Sequence, residues 1–285
     1  MTDFGGALKN HSLYPDFVLG IIGVPFDEKS SFIRGAAAGP AAIRRVSTGK
    51  TYNADTELEV DLAEETVLVD LGDVDTSGDA DKTFGEIEKT VAEVVNRGAI
   101  PIILGGDHSI TYPAVKGMAS RFKCLDILHL DAHPDMYKEL YGDRLSHACP
   151  LARILEDGLV KQLVQVGQRS FTPEQRELAR KYGVKTIEAW KVGDDLILEF
   201  KNPLYISLDL DVFDPAFAPG VSHHEPGGLT SRQVFNLIHH LRATIVGFDL
   251  VELNPTRDVS DITAALAFKL LKEIAGRAIK PKPAE

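Results

Sequence analysis

The chain has 285 residues, with 31 Lys and Arg against 42 Asp and Glu, so its formal net charge is −11 with histidine neutral. With no Lys/Arg-rich run to attract phosphate, that balance argues against nucleic-acid binding and against a polybasic membrane-surface role. Apolar residues at 44% and charged residues at 26% are ordinary globular values, and no window approaches the 18 or so consecutive apolar residues that a membrane span needs. Residues 1–17 carry no basic segment followed by an apolar stretch, so a secretory leader is not expected. Cys124 and Cys149 are too few for a disulfide framework; both read as packing thiols in a reducing, cytoplasmic setting.

Short β-branched runs recur at 17–24, 67–71, 100–104, 124–130, 163–166, 204–210 and 245–250, each followed by a helical pattern. Several are apolar continuously rather than at alternate residues, as parallel strands covered on both faces require. Between them, Gly39-Pro40 opens a helix over 41–46, Thr230 is placed to cap 231–241, and Asp261 to cap 262–275. The expectation is an α/β fold of three layers, α/β/α, with a largely parallel sheet of about eight strands. No composition break divides residues 1–285, which read as one domain; the tail 280–285 is expected to fray, and the polar stretch 48–65 reads as a surface excursion.

In an open parallel sheet ligands gather at the carboxyl ends of the strands, so the polar residues after each apolar run carry the functional reading. Three runs end alike. Residues 102–104 lead into Gly105-Gly106-Asp107-His108-Ser109, 127–130 into Asp131-Ala132-His133-Pro134-Asp135, and 205–208 into Asp209-Leu210-Asp211. Asp131, His133 and Asp135 are spaced two apart, as are Asp209 and Asp211, so in extended backbone each set points to one side. Carboxylates gathered this closely repel one another unless cations sit among them, and carboxylate with imidazole suits a divalent first-row metal. Two ions sharing carboxylates can use six ligands and keep a vacancy, which one ion cannot, so a binuclear site is favoured. Without a Cys-rich cluster a structural zinc is not expected. Asp107 and Asp214 read as turn or supporting residues, and His129, inside an apolar strand, as a hydrogen-bonded core histidine.

In order and type, GGDHS at 105–109, DAHPD at 131–135, SLDLDVFDP at 207–215 and VELNP at 251–255 resemble the signature segments of the ureohydrolases, the arginases and agmatinases. LSHACPLARILE at 145–156, QVGQRS at 165–170 and APGVSHHEPGGL at 218–229 look most like the plant-type arginase branch, where agmatinase-like bacterial proteins also cluster. Two features depart from the usual agmatinase wording: GTGTPE is absent after the aspartate pair, and the His-Gly after the metal loop reads His147-Ala148. The resemblance implies an arginase-like fold, a small guanidino substrate, a homo-oligomer (trimer or hexamer), and two Mn2+ per subunit, with Ni, Co, Fe or Zn as other divalent candidates. Residue by residue, it implies that His108, Asp131, Asp135 and Asp209 hold one ion and Asp131, His133, Asp209 and Asp211 the other. It also places His147 near the mouth as a proton shuttle, a role that matches the imidazole titration range. Chemical logic supports the set: water held between two cations loses a proton near neutral pH and can attack a trigonal carbon. Glu252 can pair with the guanidinium, and Asp135 can hold the attacking group and pass its proton to the leaving nitrogen.

L-arginine, giving L-ornithine and urea, is the expected substrate; agmatine, other guanidino acids and guanidine are the alternatives. Selectivity is expected from the loops 136–147 and 221–226, where Tyr137, Asp143, Ser222 and His223 offer polar groups to the far end of the substrate, with Asp143 facing an α-ammonium. A single-zinc deacetylase of similar architecture would leave Asp209, Asp211 and Glu252 with less to do. A nonenzymatic metal-binding protein is compatible with the motifs, although no expected ligand is missing.

Overall fold

The computed structural model describes residues 3–280, and the expectation for the tail beyond Lys280 lies outside the described residues. Along the chain run β1 (Leu19–Gly23), α1 (Gly39–Val46), β2 (Leu68–Asp73), α2 (Ala80–Asn96), β3 (Ile100–Leu104), α3 (Thr111–Ala119), β4 (Asp126–Leu130) and α4 (Pro150–Glu156). Then come β5 (Gln162–Val166), α5 (Pro173–Tyr182), β6 (Lys185–Ile187), β7 (Leu204–Asp209), α6 (Ser231–His240), β8 (Ile245–Val251) and α7 (Ile262–Ile279). The strands form one eight-stranded sheet in the order β2-β1-β3-β8-β7-β4-β5-β6, paired in parallel throughout. Seven strands coincide with the apolar runs of the sequence. The eighth, β6, is a three-residue edge strand on β5 whose Lys185-Thr186-Ile187 offers no continuous apolar run.

Successive residues of each strand feed opposite faces. Ile21, Ile102, Leu104 and Leu128 pack on one side with Ile43, Leu237 and Phe268 of α1, α6 and α7, while Ile22, Ile103 and Ile127 pack on the other with Ile87, Val115 and Leu151 of α2, α3 and α4. The sheet is thus the middle of three layers, and β4 and β7 at its centre are buried along their whole length, which explains their unbroken apolar runs. Among the described residues no helix is long and apolar enough to cross a membrane.

Helix ends follow the sequence in two cases and depart in a third. Pro40 lies in the first turn of α1, and Thr230 caps α6 in a capping box with Gln233. Asp261 does not cap α7: it sits at φ +58°, its carboxylate pairs with Arg45 at 2.6 Å, and Asp258 instead accepts from Thr263 N and Ala264 N, both at 3.0 Å. Cys149 is buried, but Cys124 is exposed in the turn before β4, so it is not a packing thiol. The stretch 48–65 forms no helix or strand yet is more than a surface excursion. Its Ala54, Val60 and Leu62 enter the core, Lys272 of α7 donates to the carbonyls of Asn53 and Asp55 at 2.8 and 2.9 Å, and Glu273 accepts from Glu57 N at 3.0 Å.

The strand order decides where chemistry can collect. β3, β8, β7 and β4 are four consecutive neighbours at the centre of the sheet, so the segments leaving their carboxyl ends meet above one another.

Candidate metal centre and active-site cleft

His108 follows β3 through Gly105-Gly106, where the chain passes under Phe26: a Cβ on Gly106 would fall 1.8 Å from the Phe26 carbonyl oxygen, so only glycine fits. Asp107 accepts from Ser109 N at 3.0 Å and from Lys29 N at 2.9 Å, the turn role expected of it, and delivers His108 inward. Asp214 is likewise a turn residue, accepting from the backbone of Ala216 and Gly227. Asp131 leaves the tip of β4 directly. Asp209 ends β7 and accepts from Asp211 N at 2.8 Å, while Asp211 accepts from Ala132 N at 3.0 Å, which ties the two tips together. Asp135 and Glu252 hold φ of +48° and +64°, a left-handed conformation costly for a side-chain-bearing residue. Such strain persists only where its surroundings enforce it, and it collects at functional sites.

These segments bring the six expected ligands together. His108 Nδ1 lies 3.0 Å from Asp135 Oδ2 and 3.2 Å from an oxygen of both Asp131 and Asp209. His133 Nδ1 lies 2.9 Å from Asp211 Oδ2 and 3.5 Å from Asp131 Oδ1. Asp131 therefore stands between the two imidazoles. One ring nitrogen carries at most one proton and cannot compensate three buried carboxylates. Burial, with the charges of Asp211 and Asp131, pushes Asp209 well above the usual carboxylate range, and burial with Asp131 holds Asp211 up at about 6. Burial opposes charge on His133, yet Asp211 and Asp131 outweigh it and push that imidazole up to about 12. The cluster calls for positive charge in its midst, and its donors, imidazole Nδ1 and carboxylate oxygen, are those that a divalent first-row cation takes. The residues present therefore fit a metal centre. His129 also approaches Asp131, but it lies within β4, fully buried and hydrogen-bonded, as a core histidine.

Beside this cluster opens a cavity of about 260 Å3. Glu252 follows β8, and its Oε1 accepts from His108 N at 2.9 Å and faces His147 Nδ1 at 3.1 Å, which leaves Oε2 for another donor. Burial resists charge on His147, but Glu252, helped by Asp135 and Asp107, holds it up at about 9, so the imidazolium prevails at neutral pH. Its Nε2 faces Ser31 Oγ at 2.8 Å, and its ring stacks on His223 at 5.3 Å.

Tyr137 and His223 line the cavity as expected of them, whereas Asp143 and Ser222 do not. Asp143 is half exposed and pairs with Lys29 at 2.8 Å, an ammonium 114 residues away in sequence. Ser222 Oγ donates to Ile33 O at 2.7 Å and accepts from Asn254 at 2.9 Å, so its hydrogen-bonding capacity is spent on the loops. The far wall is instead built by Ser31, Ser170, Thr172 and Gln175, which sequence alone did not single out. A signal existed: the last three follow β5, and the polar-residue-after-apolar-run rule applies to 163–166 as it does to the other tips. Arg169 in the same turn donates at 2.6 Å to the carbonyls of both Asp211 and Glu225, holding this wall against the loop that carries Asp211.

Compared with known proteins, residues 18–276 match the arginase family. Arginase 1, mitochondrial, of Arabidopsis thaliana is 42% identical, with 97% of this chain and 83% of that protein covered. An agmatinase of Bacillus anthracis is 32% identical over 94% of each. The structure of an arginase from Medicago truncatula superposes with a TM-score of 0.85 at 40% identity, covering 92% of this chain and 88% of that one. These plant relatives correct the cytoplasmic expectation, because several are named as mitochondrial. Unpaired thiols report a reducing setting, which more than one compartment provides, and so could not identify the cytoplasm.

Proposed function

This chain belongs to the arginase family, hydrolases acting on C–N bonds of small guanidino compounds, and from that premise we propose that it is a manganese ureohydrolase converting L-arginine to L-ornithine and urea. The observation that carries the proposal is the convergence of His108 and His133 Nδ1 with the carboxylates of Asp131, Asp135, Asp209 and Asp211. His108, Asp131, Asp135 and Asp209 would hold one Mn2+, and Asp131, His133, Asp209 and Asp211 a second. When bound, the ions supply Lewis acidity and a water activated for attack on the guanidinium carbon.

The chain's own residues do the rest. Guanidinium is a permanent cation and a poor electrophile, so it must be gripped; Glu252 Oε2 accepts its N–H groups as a buried, charge-assisted partner. Asp135 takes a proton from the attacking water and delivers it to the leaving nitrogen. His147, kept charged by Glu252, moves protons between this cleft and its mouth. At the far wall the hydroxyls of Tyr137, Ser31 and Ser170 suit an α-amino and α-carboxyl pair through direct or water-mediated bonds, while Thr172 and Gln175 are paired with each other in the capping box of α5.

Agmatine is the second reading, favoured by one observation: among the described residues no Lys or Arg lines the cavity, so an α-carboxylate meets no guanidinium or ammonium there and only imidazole groups could offset its charge. A trimer or hexamer, and one catalytic domain over residues 1–285, belong to the same proposal. Metal analysis of the fully active enzyme tests it. Two divalent ions per subunit are expected, and a single ion would refute the binuclear reading.

A further inference from the structure

His129 takes no part in the chemistry above, yet its polar neighbours leave it one state. Parallel register sets it opposite Gln165 of β5 and Ser207 of β7, and all three side chains are fully buried. Gln165 Nε2 lies 2.7 Å from the Pro134 carbonyl oxygen and 3.1 Å from His129 Nδ1. A carbonyl oxygen only accepts, so the amide must turn its NH2 that way, and Nδ1 must accept from the same group. Among the described residues Gln165 Oε1 has no hydrogen-bond partner, the cost of turning the NH2 this way. The imidazole proton therefore sits on Nε2, 2.8 Å from Asp131 Oδ2. With its one lone pair spent on Gln165, His129 has none to give a metal.

Asp131 is the carboxylate between the two imidazoles of the candidate centre. Its Oδ1 accepts from His133 N at 2.5 Å and its Oδ2 from His129, so both oxygens are gripped and the carboxylate plane cannot turn freely. We propose that His129, oriented by Gln165, is a positioning residue for Asp131 that sets how tightly the centre binds its cations. The inference rests on the metal reading above. Hydrogen-bonded partners of metal ligands commonly change metal affinity by about 10–100-fold when removed.

The test is Mn2+ titration, by calorimetry and by electron paramagnetic resonance of free Mn2+, into chelator-stripped full-length protein. His129→Phe keeps a ring of similar size and removes the donor; it is expected to weaken Mn2+ binding by about 10–100-fold. His129→Gln can present an amide N–H where Nε2 was and should restore near-wild-type binding, whereas His129→Asn, which reaches only the Nδ1 position, should not. A merely structural role would lower the melting temperature of the stripped protein and treat Gln and Asn alike. If His129→Phe does not fold, Gln165→Met carries the test: it releases the ring, keeps the donor, and should still weaken Mn2+ binding. Wild-type affinity in a folded His129→Phe or Gln165→Met protein, or equal losses in the Gln and Asn variants, overturns the inference. Failure of the wild-type protein to bind Mn2+ overturns the metal reading itself.

Discussion

Glu252→Gln keeps the shape of the side chain and removes its charge at a point where Oε1 already accepts from His108 N and faces His147 Nδ1. Two separable losses follow. An amide oxygen can still accept from a guanidinium N–H, but the charge-assisted bond is stronger by about 1.5 kcal/mol, which is about tenfold in kcat/KM. The second loss runs through His147. Against its burial, Glu252 is the foremost group holding that imidazole up at about 9, and without it burial draws the value down. At pH 7.5 the imidazolium fraction then drops, a second loss on top of the first. The variant should therefore lose about tenfold or more in kcat/KM, and lose more at pH 7.5 than at pH 6, because a falling pH restores the charge on His147. Urea release from arginine between pH 6 and 9, with metal content measured on the same samples, reads both factors. Wild-type kinetics with full metal content would make Glu252 a structural strand-end residue. A loss equal at pH 6 and pH 7.5 would sever His147 from its control.

Asp209→Ala should empty both metal positions and His108→Ala chiefly one, as read by elemental analysis after dialysis; two retained ions in Asp209→Ala would refute the sharing of that carboxylate. Asp143→Asn should leave the arginine-to-agmatine preference unchanged and shift stability by less than about 1 kcal/mol, because the Lys29 pair is partly exposed; a tenfold change in preference would return Asp143 to the cleft. Glu273→Gln should destabilise the fold by about 3 kcal/mol at pH 7. Despite burial, His239, Lys269 and Glu57 N hold that carboxyl down at about 2 against the ordinary 4.5. A depressed folded-state value gives stability that is complete above about pH 4.5 and lost as pH falls through about 2, so the gap between variant and wild type in chemical denaturation should close toward pH 2. A gap independent of pH would show that packing, not charge, is responsible.

The sheet was legible because both faces of each central strand are covered, and the unbroken apolar runs record that burial. The candidate metal-ligand positions were legible for a related reason: polar residues at the tips of adjacent central strands share one opening, and Asp131, His133 and Asp135 advertise it by spacing. What escaped depends on contacts between distant residues. Nothing local tells Asp143 that Lys29 will take its charge, or Ser222 that Ile33 and Asn254 will use its hydroxyl. The cap of α7 went to Asp258 because the chain enters that helix through left-handed Ser260 and Asp261, a turn that composition does not reveal. The docking of stretch 48–65 on α7 was not legible because much of it uses backbone carbonyls and amides, which are the same whatever the side chains. Ser170, Thr172 and Gln175 were within reach of the strand-tip rule, but their hydroxyls and amide lack the metal-ligand signature that drew notice elsewhere.

The most direct test of the central claim strips the protein with a chelator, adds back Mn2+ in steps, and measures urea released from arginine and from agmatine at each step. No urea is expected from the stripped protein, with activity rising until two Mn2+ per subunit are bound and a higher kcat/KM for arginine. Urea formation by the metal-free protein, or none from either substrate with both ions bound, would contradict it.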